Sequence, residues 1–172
     1  MPQFDVAQEK RRRCCACSRQ LSFSRGKEEI LEPFYTAVAE VRGGRAGVAR
    51  IAGHDEELRV DPPVSMGGTG KGFNPEQLFA VAYGACFGAA IDLEARQRGI
   101  ALTQVGVEAR VSIGHGDSGH FALSVELHVR LPEIDAEQGE QIMKAAHVAC
   151  PYSQLARGDA DVVLVLEESG AT

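Results

Sequence analysis

Apolar positions alternate with polar ones in several short stretches of this chain and crowd nearly every position of one longer stretch. That contrast predicts an order of elements. Phe34 to Val41 is rich in β-branched and aromatic residues and ends at Gly43-Gly44, a strand followed by a turn. Strands around Ala46 to Ile51 and Glu57 to Val60, separated by Gly53-His54-Asp55, extend it into an antiparallel meander that Pro62-Pro63 closes. Met66 to Phe73 carries four glycines and leads into Asn74-Pro75, a capping residue followed by a proline suited to a first helical position. A helix is expected from there to about Arg98, stopped by Gly99, and from Leu78 to Ile91 it is apolar on almost every face. One small sheet cannot cover such a helix.

Beyond it, Val105 to Ile113 and Phe121 to Leu131 alternate as a hairpin around Gly114 to Gly119. Asp135 caps a second helix that Pro151 ends near Cys150, and Asp161 to Leu166 supplies a last strand. The order βββ-α-ββ-α-β lacks regular βαβ alternation and predicts an α+β fold with largely antiparallel sheets. Residues 1–32 have no sustained apolar periodicity and read as an N-terminal extension without ordered structure, followed by one domain over 33–172.

Composition narrows the function classes. The 172 residues suit a single domain, and 24 acidic against 18 basic residues give a net charge of −6, which disfavours nucleic acid and offers no polybasic membrane anchor. With no unbroken apolar run of membrane-spanning length and no apolar N-terminal stretch, the expected location is the cytoplasm, where thiols stay mostly reduced. Five cysteines without framework spacing then point to a transient disulfide rather than a structural one.

Two cysteines stand in settings able to hold a thiol rigidly: Cys86 in the apolar helix, and Cys150 just before Pro151. They are 64 residues apart, so only the fold can pair them, unlike a Cys-x-x-Cys turn. The bland alternative for each is a small buried hydrophobe. A reactive thiolate needs a nearby cation, for which Arg45, Arg50 and Arg157 are candidates. Arg45, between Gly43-Gly44 and Ala46-Gly47, sits where backbone can approach closely, although these residues alone favour an exposed hairpin-turn arginine. Glu76 in the first helical turn complements the helix dipole and could also orient an arginine.

Other motifs fail on spacing. Gly67-Gly68-Thr69-Gly70-Lys71-Gly72 lacks the first glycine and the Ser or Thr of a phosphate loop. Gly84-Ala85-Cys86-Phe87-Gly88 fits a nucleophile elbow with cysteine for serine, but no strand is expected before it. Cys14, Cys15 and Cys17 have no second ligand cluster at zinc-finger spacing, and His147 with Cys150 is only half of a metal site. No chemistry is assigned to His115, His120 or His128.

From about Phe34 to Glu168 the chain resembles the organic hydroperoxide resistance (Ohr) proteins of the OsmC/Ohr superfamily. The blocks carrying the resemblance are Gly43-Gly44-Arg45-Ala46-Gly47, Asn74-Pro75-Glu76-Gln77-Leu78-Phe79-Ala80, Gly84-Ala85-Cys86-Phe87, Gly119 to Leu127, Ala146-His147-Val148-Ala149-Cys150-Pro151-Tyr152-Ser153, and Arg157 to Val162. Departures are Phe73 where threonine is usual and Gln154-Leu155-Ala156 where Asn-Ala-Thr is typical. The resemblance implies sheets packed around a long buried central helix in an intertwined homodimer. It also implies a thiol peroxidase in which Cys86 attacks the hydroperoxide, Cys150 resolves the sulfenic acid, and Arg45 and Glu76 complete the site. No cofactor or metal is implied. The reductant implied is a lipoyl dithiol, and the substrates are organic or fatty-acid hydroperoxides. The alternatives left open are a cysteine hydrolase and a non-enzymatic hydroperoxide sensor.

Geometry adds a constraint to these roles. On a continuous helix Glu76 and Cys86 lie about 15 Å apart along the axis and about 80° out of register. Either the helix bends near Gly84, or each site takes residues from two chains. The helix apolar all round favours two chains, since a second subunit would cover its remaining face.

Overall fold

The computed structural model describes residues 32–157 and 160–167. The chain divides into two units, Met1–Thr36 and Ala37–Thr172, and every element below belongs to the second. The expectations for residues 1–31, with Cys14, Cys15 and Cys17, lie outside the described residues.

Three short strands, β1 (Ala39–Arg42), β2 (Gly47–Ile51) and β3 (Glu57–Val60), form the expected antiparallel meander. β1 begins five residues later than the apolar run from Phe34 predicts, because only from Ala39 does β2 supply a register partner, Ile51. The β1–β2 turn uses Gly43 and Gly44 at φ +82° and +58°, conformations that cost other residues steric strain. A Cβ on Gly47 would lie 1.9 Å from the Arg42 carbonyl oxygen, so this position also requires glycine. Arg45 therefore rides on a tight, glycine-built tip.

After β3 the chain makes a glycine-rich loop around one carboxylate. Asp61, 6% exposed, accepts from the backbone N–H of Thr69 and of Lys71, each at 3.2 Å, and from the Thr69 hydroxyl. The far end is tied back by Phe73 N–H to the Arg59 carbonyl (2.9 Å) and Asp61 N–H to the Phe73 carbonyl (3.1 Å). Next comes the expected cap: Asn74 Oδ1 accepts from Gln77 N–H at 2.8 Å, and the Gln77 side chain accepts from Asn74 N–H at 3.0 Å. Helix α1 (Pro75–Gln97) follows without a break, and Gly99 at φ +73° turns the chain away.

The second sheet has the order β4-β5-β6: β4 (Gly106–His115) pairs antiparallel with β5 (Phe121–Arg130), and β6 (Asp161–Leu166) adds parallel to β5. The parallel pair arises because α2 (Ala136–Ala149) and α3 (Pro151–Ala156) form a crossover between β5 and β6. Pro151 ends α2 as expected, but it also opens α3, which the sequence reading lacked. Proline at a first helical position loses no helix hydrogen bond and starts a turn readily.

Tyr83, Phe87, Ile91 and Ala95, four residues apart on α1, pack with Val125, Leu127 and Val129 of β5 and with Ile142, Met143 and Ala146 of α2. Burying each large apolar side chain contributes about 1.5–3 kcal/mol. Within this single chain the helix is covered on one face only. Val81, Ala85, Ala89 and Leu93, two positions out of phase and so about 200° around the helix, are exposed, Val81 at 72% and Leu93 at 52%. The first sheet is similarly bare: only Ala49 and Val60 of its strands are buried. By length and apolarity α1 could cross a membrane, yet one of its faces is the core of this unit.

Candidate active site

Cys86 sits mid-way along α1, between Gly84 and Gly88, which face β4; a Cβ on Gly84 would make an ordinary 3.6 Å contact with the Ala109 methyl. Cys150 occupies the elbow between α2 and α3, extended at φ −66° and ψ 121°, where its N–H still closes α2 on the Ala146 carbonyl. The elbow aims its thiol at α1. The Cys150 Sγ–H donates to Cys86 Sγ at 3.6 Å, with Cys150 fully buried and Cys86 partly open. A disulfide requires about 2.05 Å, so the pair is poised roughly 1.5 Å from bonding distance.

The Cys86 thiol is held above its ordinary pKa, first by burial and then by the Cys150 hydrogen bond and charge; the Tyr152 backbone N–H pulls the other way. Among the described residues no arginine acts on it. Arg45 instead donates to Glu76 at 2.7 Å, Glu76 being the more enclosed partner with 12% of its side chain exposed against 43% for Arg45. Burial opposes ionisation of Glu76, but the Arg45 hydrogen bond, the helix's own N–H at Glu76 and the Arg45 charge outweigh it and lower its pKa. The predicted residues thus assemble as two pairs, Cys86 with Cys150 and Arg45 with Glu76. Since α1 runs unbroken through Gly84, the pairs stay about 15 Å apart along the helix.

The other candidate cations have different work. Arg50 pairs with Glu57 across the meander, and Arg157 donates to the carbonyls of His147 and Val148, capping the end of α2. The nucleophile-elbow reading fails, because Gly84 to Gly88 lies inside a helix. In the glycine-rich loop the N–H groups of Thr69 and Lys71 are engaged by Asp61. Among the described residues no group of three or more His, Cys, Asp or Glu could hold a metal. His147 Nδ1 is buried without a partner, and burial, then the Arg157 charge, lowers its pKa. His115 stacks on Phe121, and His128 lies between Glu126 and Glu167.

The sequence reading missed Tyr83 and Ser153. Both are fully buried, and the Tyr83 hydroxyl donates to Ser153 Oγ at 2.9 Å. Their only signal was a phenol within the apolar helix and a serine just after Cys150-Pro151.

A thiol pair held between a long helix and a helical elbow, on an α+β frame, defines the OsmC-like class, and the family described as "OsmC-like protein" matches residues 68–165. The organic hydroperoxide resistance protein of Xanthomonas axonopodis pv. citri is 39% identical over 134 residues, covering 77% of this chain and 94% of that one. OhrB of Bacillus subtilis is 39% identical over 137 residues, covering 77% and 98%. The crystal structure of OhrB superimposes with a TM-score of 0.72 over 78% of this chain and all of that one. The chain belongs to the OsmC/Ohr family, among its organic hydroperoxide resistance proteins.

Proposed function

We propose that the protein is a thiol peroxidase that reduces organic hydroperoxides to alcohols, acting in the cytoplasm in the response to oxidative stress. The observation that carries this reading is the 3.6 Å approach of a partly open Cys86 to a buried Cys150. The open thiol suits the attack and the buried one the second step. The Cys86 thiolate attacks the distal peroxide oxygen, the O–O bond breaks, an alcohol leaves with a proton, and Cys86 becomes a sulfenic acid. The Cys150 sulfur then displaces hydroxide from it, giving a Cys86–Cys150 disulfide and water. A dithiol of the lipoyl type restores both thiols by exchange and leaves as its own disulfide.

Attack at neutral pH needs a cation that lowers the Cys86 pKa. In a homodimer built on the bare α1 face, the Arg45–Glu76 pair of a second copy supplies it, with Glu76 holding the guanidinium in place. Phe79 and Tyr152, partly exposed with ring centroids 6.0 Å apart, favour a bulky alkyl or fatty-acid hydroperoxide over hydrogen peroxide. Purified protein should consume an organic hydroperoxide at the expense of dihydrolipoamide. Turnover of an activated ester instead would indicate a hydrolase, and stoichiometric oxidation without turnover a sensor.

A further inference from the structure

Two rungs join α1 to the elbow between α2 and α3. The first is Cys86 to Cys150 at 3.6 Å; the second is Tyr83 to Ser153 at 2.9 Å. Tyr83 precedes Cys86 by three residues and Ser153 follows Cys150 by three, so each rung stands about one helical turn from the other on both sides. Both hydroxyl residues are fully buried. The ring of Tyr83 is further locked between Phe79 and Tyr152, with centroids 5.7 and 5.8 Å away. Burial keeps Tyr83 a neutral phenol with its proton available to donate, and the thiols are close enough to reinforce that shift while Ser153 and Arg157 oppose it.

We infer that the Tyr83–Ser153 hydrogen bond is a positioning clamp that holds the elbow at the distance from which Cys150 captures an oxidised Cys86. This rests on the peroxidase reading and assigns a role to residues outside the four proposed catalytic groups. Forming the disulfide requires the two sulfurs to close by about 1.5 Å. The elbow at Cys150 is the place where that movement can occur, because its backbone belongs to neither helix. With the second rung in place the movement is a short pivot about a fixed neighbour. Without it α3 is free to drift from α1, and the sulfenic acid waits. A second hydroperoxide then competes: its O–O bond breaks, one oxygen goes to Cys86 as sulfinic acid, and an alcohol leaves. The clamp accordingly sets how much peroxide the protein survives.

The experiment separates the two steps in full-length protein. Cys86 oxidation is followed by rapid mixing with one equivalent of cumene hydroperoxide, disulfide closure by quenched intact-mass analysis, and sulfinic acid by mass after a hydroperoxide excess. Tyr83→Phe should slow closure about tenfold relative to the first step, the size of effect one lost positioning hydrogen bond gives, and raise the sulfinic yield in proportion. Ser153→Ala tests the same bond from the other side. The double variant should close no more slowly than the slower single, since one bond is lost in all three. A merely structural role would depress both steps together and leave the sulfinic yield per turnover unchanged. Wild-type protein that closes its disulfide, with both single variants closing as fast, overturns the clamp alone. Wild-type protein that forms no Cys86–Cys150 disulfide overturns the peroxidase reading and the clamp with it.

Discussion

Cys150 presents its thiol to Cys86 at 3.6 Å from inside the core, while Cys86 keeps part of its surface open. This asymmetry supports the proposed order of the chemistry, in which the partly open sulfur would meet substrate and the buried one only the first sulfur. Cys86→Ser is expected to abolish hydroperoxide consumption. Cys150→Ser should retain the first oxidation, lose turnover with dihydrolipoamide, and accumulate Cys86 sulfinic acid by intact mass. Sustained lipoyl-dependent turnover by Cys150→Ser would rule out its resolving role.

The Arg45–Glu76 pair is complete in one chain yet lies about 15 Å along α1 from Cys86. If a second copy brings its pair to each Cys86, inactive Cys86→Ser and Glu76→Ala proteins should complement one another after unfolding and co-refolding. Equal mixing gives one intact site in half of the dimers, about one quarter of wild-type activity. A mixture as inactive as its parents would confine each site to one chain.

Val81, Ala85, Ala89 and Leu93 form the bare stripe of α1. Leu93→Glu places a charge where a second copy should pack, and sedimentation should report a shift toward monomer. Because burial holds the Cys86 thiol up and no arginine among the described residues of the same chain acts on it, the monomeric variant should also alkylate with iodoacetamide at a higher pH midpoint than wild type. An unchanged midpoint in a true monomer would mean that no second copy acts on this thiol.

Asp61 ties the glycine-rich loop to β3 and so fixes where α1 begins, one step before Glu76. Hydrogen bonds from Thr69, then burial in opposition, then Lys71 N–H and the Arg59 charge leave its carboxyl below the usual range. Asp61→Ala should lower the melting temperature by several degrees and reduce kcat. Melting unaffected by the change would show that the loop holds its shape without the carboxylate.

His147 is buried with Nδ1 unpartnered, and its folded pKa lies below the ordinary 6.5. Between the unfolded pKa and this lower folded value the unfolded chain binds the extra proton. Its contribution to stability is therefore full above about pH 6.5 and declines as pH falls through that window. His128, raised by Glu126 and then Glu167, contributes in the opposite sense, its stabilisation being lost as pH rises through its folded pKa. The difference between wild type and His147→Gln removes the His128 contribution. Chemical denaturation from pH 7.5 to 5.5 should show wild type losing stability faster than the variant, and parallel curves would place the His147 proton in water.

The sequence by itself determined the elements that local chemistry specifies. Asn74-Pro75 fixed the start of α1 through cap geometry, Gly43-Gly44 fixed the β1–β2 turn through positive φ, and alternation fixed the β4–β5 hairpin. It also supplied Cys86, Cys150, Arg45 and Glu76 through motif resemblance. Tertiary structure decided what depends on neighbours distant in the chain. Whether an all-apolar helix is covered on one face or two is invisible to periodicity, and here the stripe from Tyr83 to Ala95 is buried while that from Val81 to Leu93 is bare. The pairing of Tyr83 with Ser153 spans 70 residues, and no local pattern could join a phenol in one helix to a serine in another. The meeting of Cys86 and Cys150 across 64 residues had the same origin: each motif carried a thiol, but only the elbow at Cys150, packed against α1 by the shared core, brought the two sulfurs to 3.6 Å.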